Sequence, residues 1–378
     1  MAIHFQRYSL LLFLALVPSL QAADIDRPPF NYSKARASNR VSRLLEQIQA
    51  GKVRFKHDDE HGYLKSLLQA LDVPLSSQVL VFSKTSLQRN RISPRTPRAI
   101  YFNDDVYVGF CWRGDVLEIS AVDPELGTVF YTLDQEPAPQ PRFTRQNEAC
   151  MLCHGSSANR GYPGHLVRSL FVDREGFPLL NLGSLRVDHT TAFAERWGGW
   201  YVTGTSGKQV HRGNLILPPR TREAPEENRD GVNVTDLKSR FTVGNYLTPH
   251  SDLVALMVLE HQAEAHNLIT RAGYETKLAL FQQEEIDGIL GRKTQGLSES
   301  TASRIKSVCE PLVQYLLFSG EARLTDTVAG TSKFAEEFSS RGPRDRKGRS
   351  LREFDLKRRL FKYPCSYLIY SAAFDGLP

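Results

Sequence analysis

Methionine is scarce in this chain: Met1, Met151 and Met257 are the only three in 378 residues. Long apolar runs are missing after residue 20, because charge soon interrupts every such stretch, and this excludes a downstream span of the ~20 apolar residues a bilayer requires. No internal repeat is visible. There is also no Gly-rich phosphate loop, no G-x-S-x-G elbow and no H-E-x-x-H helix, so the usual sequence marks of nucleotide enzymes, α/β-hydrolases and zinc peptidases are absent. The charge excess is only +6. Its densest basic stretch, from Arg341 to Arg359, is interrupted by acidic residues and carries no interleaved aromatic platform, so it reads as a solvated face and no nucleic-acid partner is expected.

What is present begins with an export pattern. Met1 to Arg7 ends in a positive charge, Tyr8 to Leu20 is apolar, and Gln21, Ala22 and Ala23 offer small residues for cleavage, which predicts a signal peptide over 1–22 and a periplasmic or secreted mature chain without a membrane span. The five cysteines are Cys111, Cys150, Cys153, Cys309 and Cys365, and only one pair is close in sequence. That pair stands in Cys150-Met151-Leu152-Cys153-His154, the C-x-x-C-H pattern of covalent haem c attachment. The spacing places two thiols at the separation of the two porphyrin vinyl groups, and His154 follows directly as an axial ligand to the iron. A redox disulfide would call for a thioredoxin-like setting, whereas the flanking residues read as a loop. A zinc site would need two more ligands at compact spacing, and the next cysteine lies more than 150 residues away. Cys309 and Cys365 could pair in an oxidising compartment, and Cys111 reads as a small buried hydrophobe.

The periodicity predicts an α+β fold in which a β-rich, haem-carrying core is flanked by helical segments. Stripes at Val41, Leu44, Leu45, Ile48 and at Leu64, Leu67, Leu68, Leu71 mark two helices in an N-terminal segment, 23–75. Five strand-like stretches between Gln78 and Leu133, with three more at 166–172, 179–187 and 197–203, define a core over 76–248. The region 249–378 is helical, with a helix over 251–271 ended by Gly273, and others over 275–289 and 301–318.

The second axial position decides between an electron carrier and an open catalytic or sensing site. Met257 is the one realistic methionine, while several histidines compete. On the 251–271 helix, placing residues at about 100° intervals puts His261 at the centre of the apolar stripe and His266 on the opposite, exposed side. His165, in the turn after the motif, and His211 are equal candidates beside His261. The cluster His57-Asp58-Asp59-Glu60-His61 has metal-ligand residue types but precedes a helix, where acidic residues complement the dipole.

The chain resembles bacterial periplasmic cytochrome c domain proteins with a single C-x-x-C-H motif. The resemblance rests on that motif, Val187-Asp188-His189, the stretch Arg196-Trp197-Gly198-Gly199-Trp200-Tyr201-Val202-Thr203-Gly204, His211-Arg212-Gly213-Asn214, and Pro249-His250-Ser251-Asp252. It implies one covalent haem c and supplies no substrate. Relatives carry a histidine after Thr205 where this chain has Ser206, so no role of that histidine carries over. The expected function is electron transfer to a redox partner protein. The rivals are a haem enzyme or sensor with an open or weakly ligated site, and a surface protein whose haem is incidental.

Overall fold

The computed structural model describes residues 25–292 and 294–378, so the signal-peptide expectation over 1–22 lies outside the described residues. An antiparallel sheet of seven strands organises the chain. In chain order its strands are β1 (Val79–Val81), β2 (Arg98–Phe102), β3 (Val106–Phe110), β4 (Val116–Asp123), β5 (Gly127–Asp134) and β6 (Phe143–Arg145), and the last strand joins from much later in the sequence. Apart from β6 these strands are rich in β-branched and aromatic residues, which suit a pleated surface buried on both sides. A small ribbon follows, β7 (Arg168–Leu170) with β8 (Ser184–Arg186), and then β9 (Trp200–Tyr201) pairs with β1, giving the order β6-β5-β4-β3-β2-β1-β9. The fold is therefore mixed α and β with a large antiparallel sheet, as the sequence predicts.

Alternation along the strands sends side chains to two separate cores. Leu80, Tyr101, Val108, Phe110, Leu117, Ile119 and Leu133 meet the two amphipathic N-terminal helices, α1 (Arg40–Gln49) and α2 (Leu64–Ala70), through Val41, Leu44, Leu64, Leu67 and Leu68. Asn39 caps α1 by accepting from Val41 N and Ser42 N. On the opposite face Val79, Val81, Phe102, Tyr107, Val122 and Trp200 lie against the long helix that follows the short helix α3 (Met151–His154): α4, Leu253–Ile289. Helix α5 (Glu299–Leu316) and the C-terminal tail cover the far side of α4.

Two expectations about α4 are corrected here. The helix does not stop at Gly273 but runs 37 residues, about 55 Å, to Ile289, merging the two helices the sequence predicts. Gly273 costs such a helix about 1 kcal/mol. Burial on either side outweighs it: Ala272 and Tyr274 are enclosed, and Tyr274 donates to Leu126 O and packs on Phe30 at 4.4 Å. His266 is not exposed either; it is fully buried, as is His261. An apolar stripe identifies one buried side, but α4 is enclosed between the sheet and α5. His261 faces Tyr315 and Phe318, while His266 faces Tyr107 on the sheet.

No helix among the described residues is long and apolar enough to cross a membrane. The five thiols are all free, so the expected Cys309–Cys365 bond is not formed, and Cys111 is buried.

Candidate functional site

The motif is not an open loop. His154 N donates to Cys150 O at 3.0 Å and closes α3, a single helical turn after β6. The i, i+3 spacing sets Cys150 and Cys153 along one side of that turn. Cys150 is half-buried, while Cys153 and Leu152 are exposed, Leu152 by 81%.

The chain then folds back to fix His154. Its carbonyl accepts from Gly164 N at 3.1 Å and from Asn159 Nδ2 at 2.9 Å. Its ring Nδ1 lies 2.8 Å from Gly164 O. A carbonyl only accepts, so Nδ1 carries the hydrogen and the lone pair is on Nε2, which has no hydrogen-bond partner among the described residues. This is the tautomer and the backbone anchor a metal-ligating imidazole needs. Burial outweighs the opposing hydrogen bond to Gly164 O and lowers the pKa of His154, which favours the neutral form that can ligate.

Packing holds the same arrangement. The His154 ring rests on Phe130 of β5 with centroids 4.7 Å apart. Asn267 of α4 clamps the loop by accepting from His165 N at 2.7 Å and donating to His165 O at 2.9 Å. A Cβ at Gly164 would come within 2.4 Å of Asn267 Oδ1 and displace the clamp. Arg98 and Glu118 form an ion pair at 2.5 Å that bears electrostatically on both Cys150 and His154. Ser86 and Gln88 donate to Glu118, while Arg98 Nε is buried without a partner. The β7–β8 ribbon reaches the motif loop where Arg186 Nη1 donates to Ala158 O at 2.5 Å, and the turn leading into β8 exposes Leu180.

The donor set fits a c-type haem. Two free thiols on one turn and an unpartnered imidazole nitrogen beside them are the groups that thioether attachment and axial ligation require.

No family model, curated protein or solved structure matches this chain. The resemblance to cytochrome c domain proteins therefore rests on the quoted residues.

The four distal candidates are not gathered at the motif. His261 Nδ1 lies 2.8 Å from His189 Nδ1, and its Nε2 lies 2.8 Å from Ser366 Oγ. His211 accepts from Gly213 N and stands edge-on to Trp197 at 5.2 Å. Met257 is enclosed in the core on α4. His165 is the nearest, with its ring 6.5 Å from Phe130, but Nε2 is engaged with Ser120 Oγ at 2.9 Å and Nδ1 is buried without a partner. His57 and His61 belong to the turn before α2, where Asp58 accepts from Glu60 N and His61 N and pairs with Lys65, and no group of three metal-binding side chains occurs among the described residues.

Sequence reasoning missed Gly164, Asn159, Asn267 and Phe130. The turn Gly161-Tyr162-Pro163-Gly164 marks a chain reversal after the motif, but a backbone carbonyl leaves no mark on residue identity.

Proposed function

We propose that this chain is an exported monohaem c-type cytochrome, with haem linked through Cys150 and Cys153, His154 as axial ligand, and electron transfer to a redox partner as its role. The observation that carries the reading is the Nδ1 anchor of His154 to Gly164 O, which leaves a neutral Nε2 free beside both thiols. The haem would supply a one-electron couple at the iron. The protein would fix the ligand's direction through Phe130, Gly164 and the Asn267 clamp, and would set local charge through Arg98 and Glu118.

A second reading, an enzyme or sensor with an open distal position, is favoured by the engagement of His261 and His211 and the enclosure of Met257, all within the core. Optical spectra of the purified protein in both oxidation states test the two together. A haem chromophore lost in the Cys150→Ala/Cys153→Ala variant and altered in His154→Ala supports the attachment. High-spin ferric iron selects the open site and low-spin iron a sixth ligand. A folded, colourless protein from a host with c-type maturation overturns the proposal.

A further inference from the structure

Beneath the motif lies a buried phenol–imidazole pair that haem attachment does not use. Tyr107 of β3 places its hydroxyl 2.9 Å from His266 Nδ1. The direction of that bond is fixed by its neighbours. Gln262 Nε2 donates to Tyr107 Oη at 2.9 Å and to Asn103 O at 2.7 Å, while Gln262 Oε1 accepts from Tyr367 Oη. An amide nitrogen only donates, so the phenolic proton of Tyr107 points at His266 Nδ1. His266 then carries its own hydrogen on Nε2, which is buried without a partner. The imidazole is thus already oriented to receive the phenol's proton; burial disfavours its charged form, and the nearby Asp104 charge offsets part of that cost.

A run of rings joins this pair to the motif. From His154 the centroid steps are 4.7 Å to Phe130, 6.5 Å to His165 and 4.1 Å to Tyr107. Each is within the contact range of packed aromatic rings. A phenol loses an electron readily only when its proton has somewhere to go, because the phenol radical cation is a strong acid. Here the acceptor sits at hydrogen-bond distance and water is excluded.

We propose that Tyr107 and His266 form a redox-active tyrosine–histidine pair that returns one electron towards the haem when a hydroperoxide is reduced there. This rests on the haem reading with an open distal position. Hydrogen peroxide takes two electrons and two solvent protons to become two waters. A haem held by Cys150, Cys153 and His154 would supply one of those electrons, passing from ferrous to ferric. Tyr107 gives the other, and its phenolic proton passes to His266 Nδ1, leaving a neutral phenoxyl radical beside an imidazolium.

The test is electron paramagnetic resonance of the ferrous, haem-loaded protein frozen after mixing with hydrogen peroxide. A tyrosyl radical is expected, lost in Tyr107→Phe, and coupled to an exchangeable deuteron after transfer to heavy water. In His266→Gln, which keeps a polar group at the same position, the radical should fall in yield and lose that coupling. Far-ultraviolet circular dichroism checks that each variant folds. A radical that persists unchanged in Tyr107→Phe, or none in a protein whose intact mass includes haem, overturns the pair while leaving the haem reading intact. A chain that gains no haem mass overturns both.

Discussion

Lowering the pH from 7 to 5 should destabilise this protein by about 3 kcal/mol. Burial pushes His189, His211 and His266 down to about 4. In the unfolded chain each imidazole takes up a proton below about pH 6.5, whereas in the folded chain it waits until about pH 4. Between those values the unfolded state binds more protons, so stability falls as pH falls. At pH 5 the difference is roughly 2 kcal/mol for each group, or about 6 kcal/mol for the three. Burial shifts His154, His165 and His261 in the same direction. Glu260, pushed up to about 8 by burial, works in the opposite direction and offsets part of their contribution. That offset is roughly 2–3 kcal/mol over the same interval, so the net loss is on the order of 3 kcal/mol, against a total of roughly 5–15 kcal/mol for a typical fold. Urea unfolding followed by circular dichroism at the two pH values reads this directly: with a slope of about 3 kcal/mol/M, the midpoint should fall by roughly 1 M. In His211→Gln the loss should shrink by roughly 2 kcal/mol, more than half of the shift. Equal midpoints at pH 5 and pH 7 would show that these imidazoles are not held neutral, and the reasoning fails.

The clamp and the core give further expectations. Asn267→Ala strips His165 of both backbone partners and should cost about 2 kcal/mol, lowering a calorimetric melting temperature by roughly 2–3 °C; an unchanged value would mean that the clamp does not hold the loop. Glu260→Ala leaves Arg196 buried without its carboxyl partner and removes the acceptor for Trp197 Nε1, so a loss of about 3–5 kcal/mol is expected in urea unfolding, and a loss under 1 kcal/mol would contradict the buried pairing. In haem-free folded protein iodoacetamide should modify exposed Cys153 well before Cys111, whose thiol is buried and pushed up to about 12; the reverse order, read by peptide mass mapping, would refute the placement of the motif.

How much was legible in the sequence depends on whether one residue's neighbours are local. The two N-terminal helices follow from the Val41–Leu44 and Leu64–Leu68 stripes, and β2 to β5 follow from β-branched and aromatic runs broken by turns, because half-buried elements write their environment into their own periodicity. Helix α4 does not obey that rule. Enclosed on both sides, it has no single polar face, so the stripe that marked His261 said nothing about His266, and Gly273 signalled an end that packing around Tyr274 overrides. The motif itself was legible as a pattern. Its setting was not, since the partner of His154 is the carbonyl of Gly164, ten residues away, and the ring beneath it comes from β5.

The central claim is covalent haem on Cys150 and Cys153, and intact mass under denaturing conditions tests it most directly. Chain produced in a host with c-type maturation machinery should exceed its polypeptide mass by one haem, retain that addition through acid-acetone extraction, and lose it in Cys150→Ala/Cys153→Ala. A folded chain at bare polypeptide mass from that host, with both thiols open to alkylation, would contradict the account.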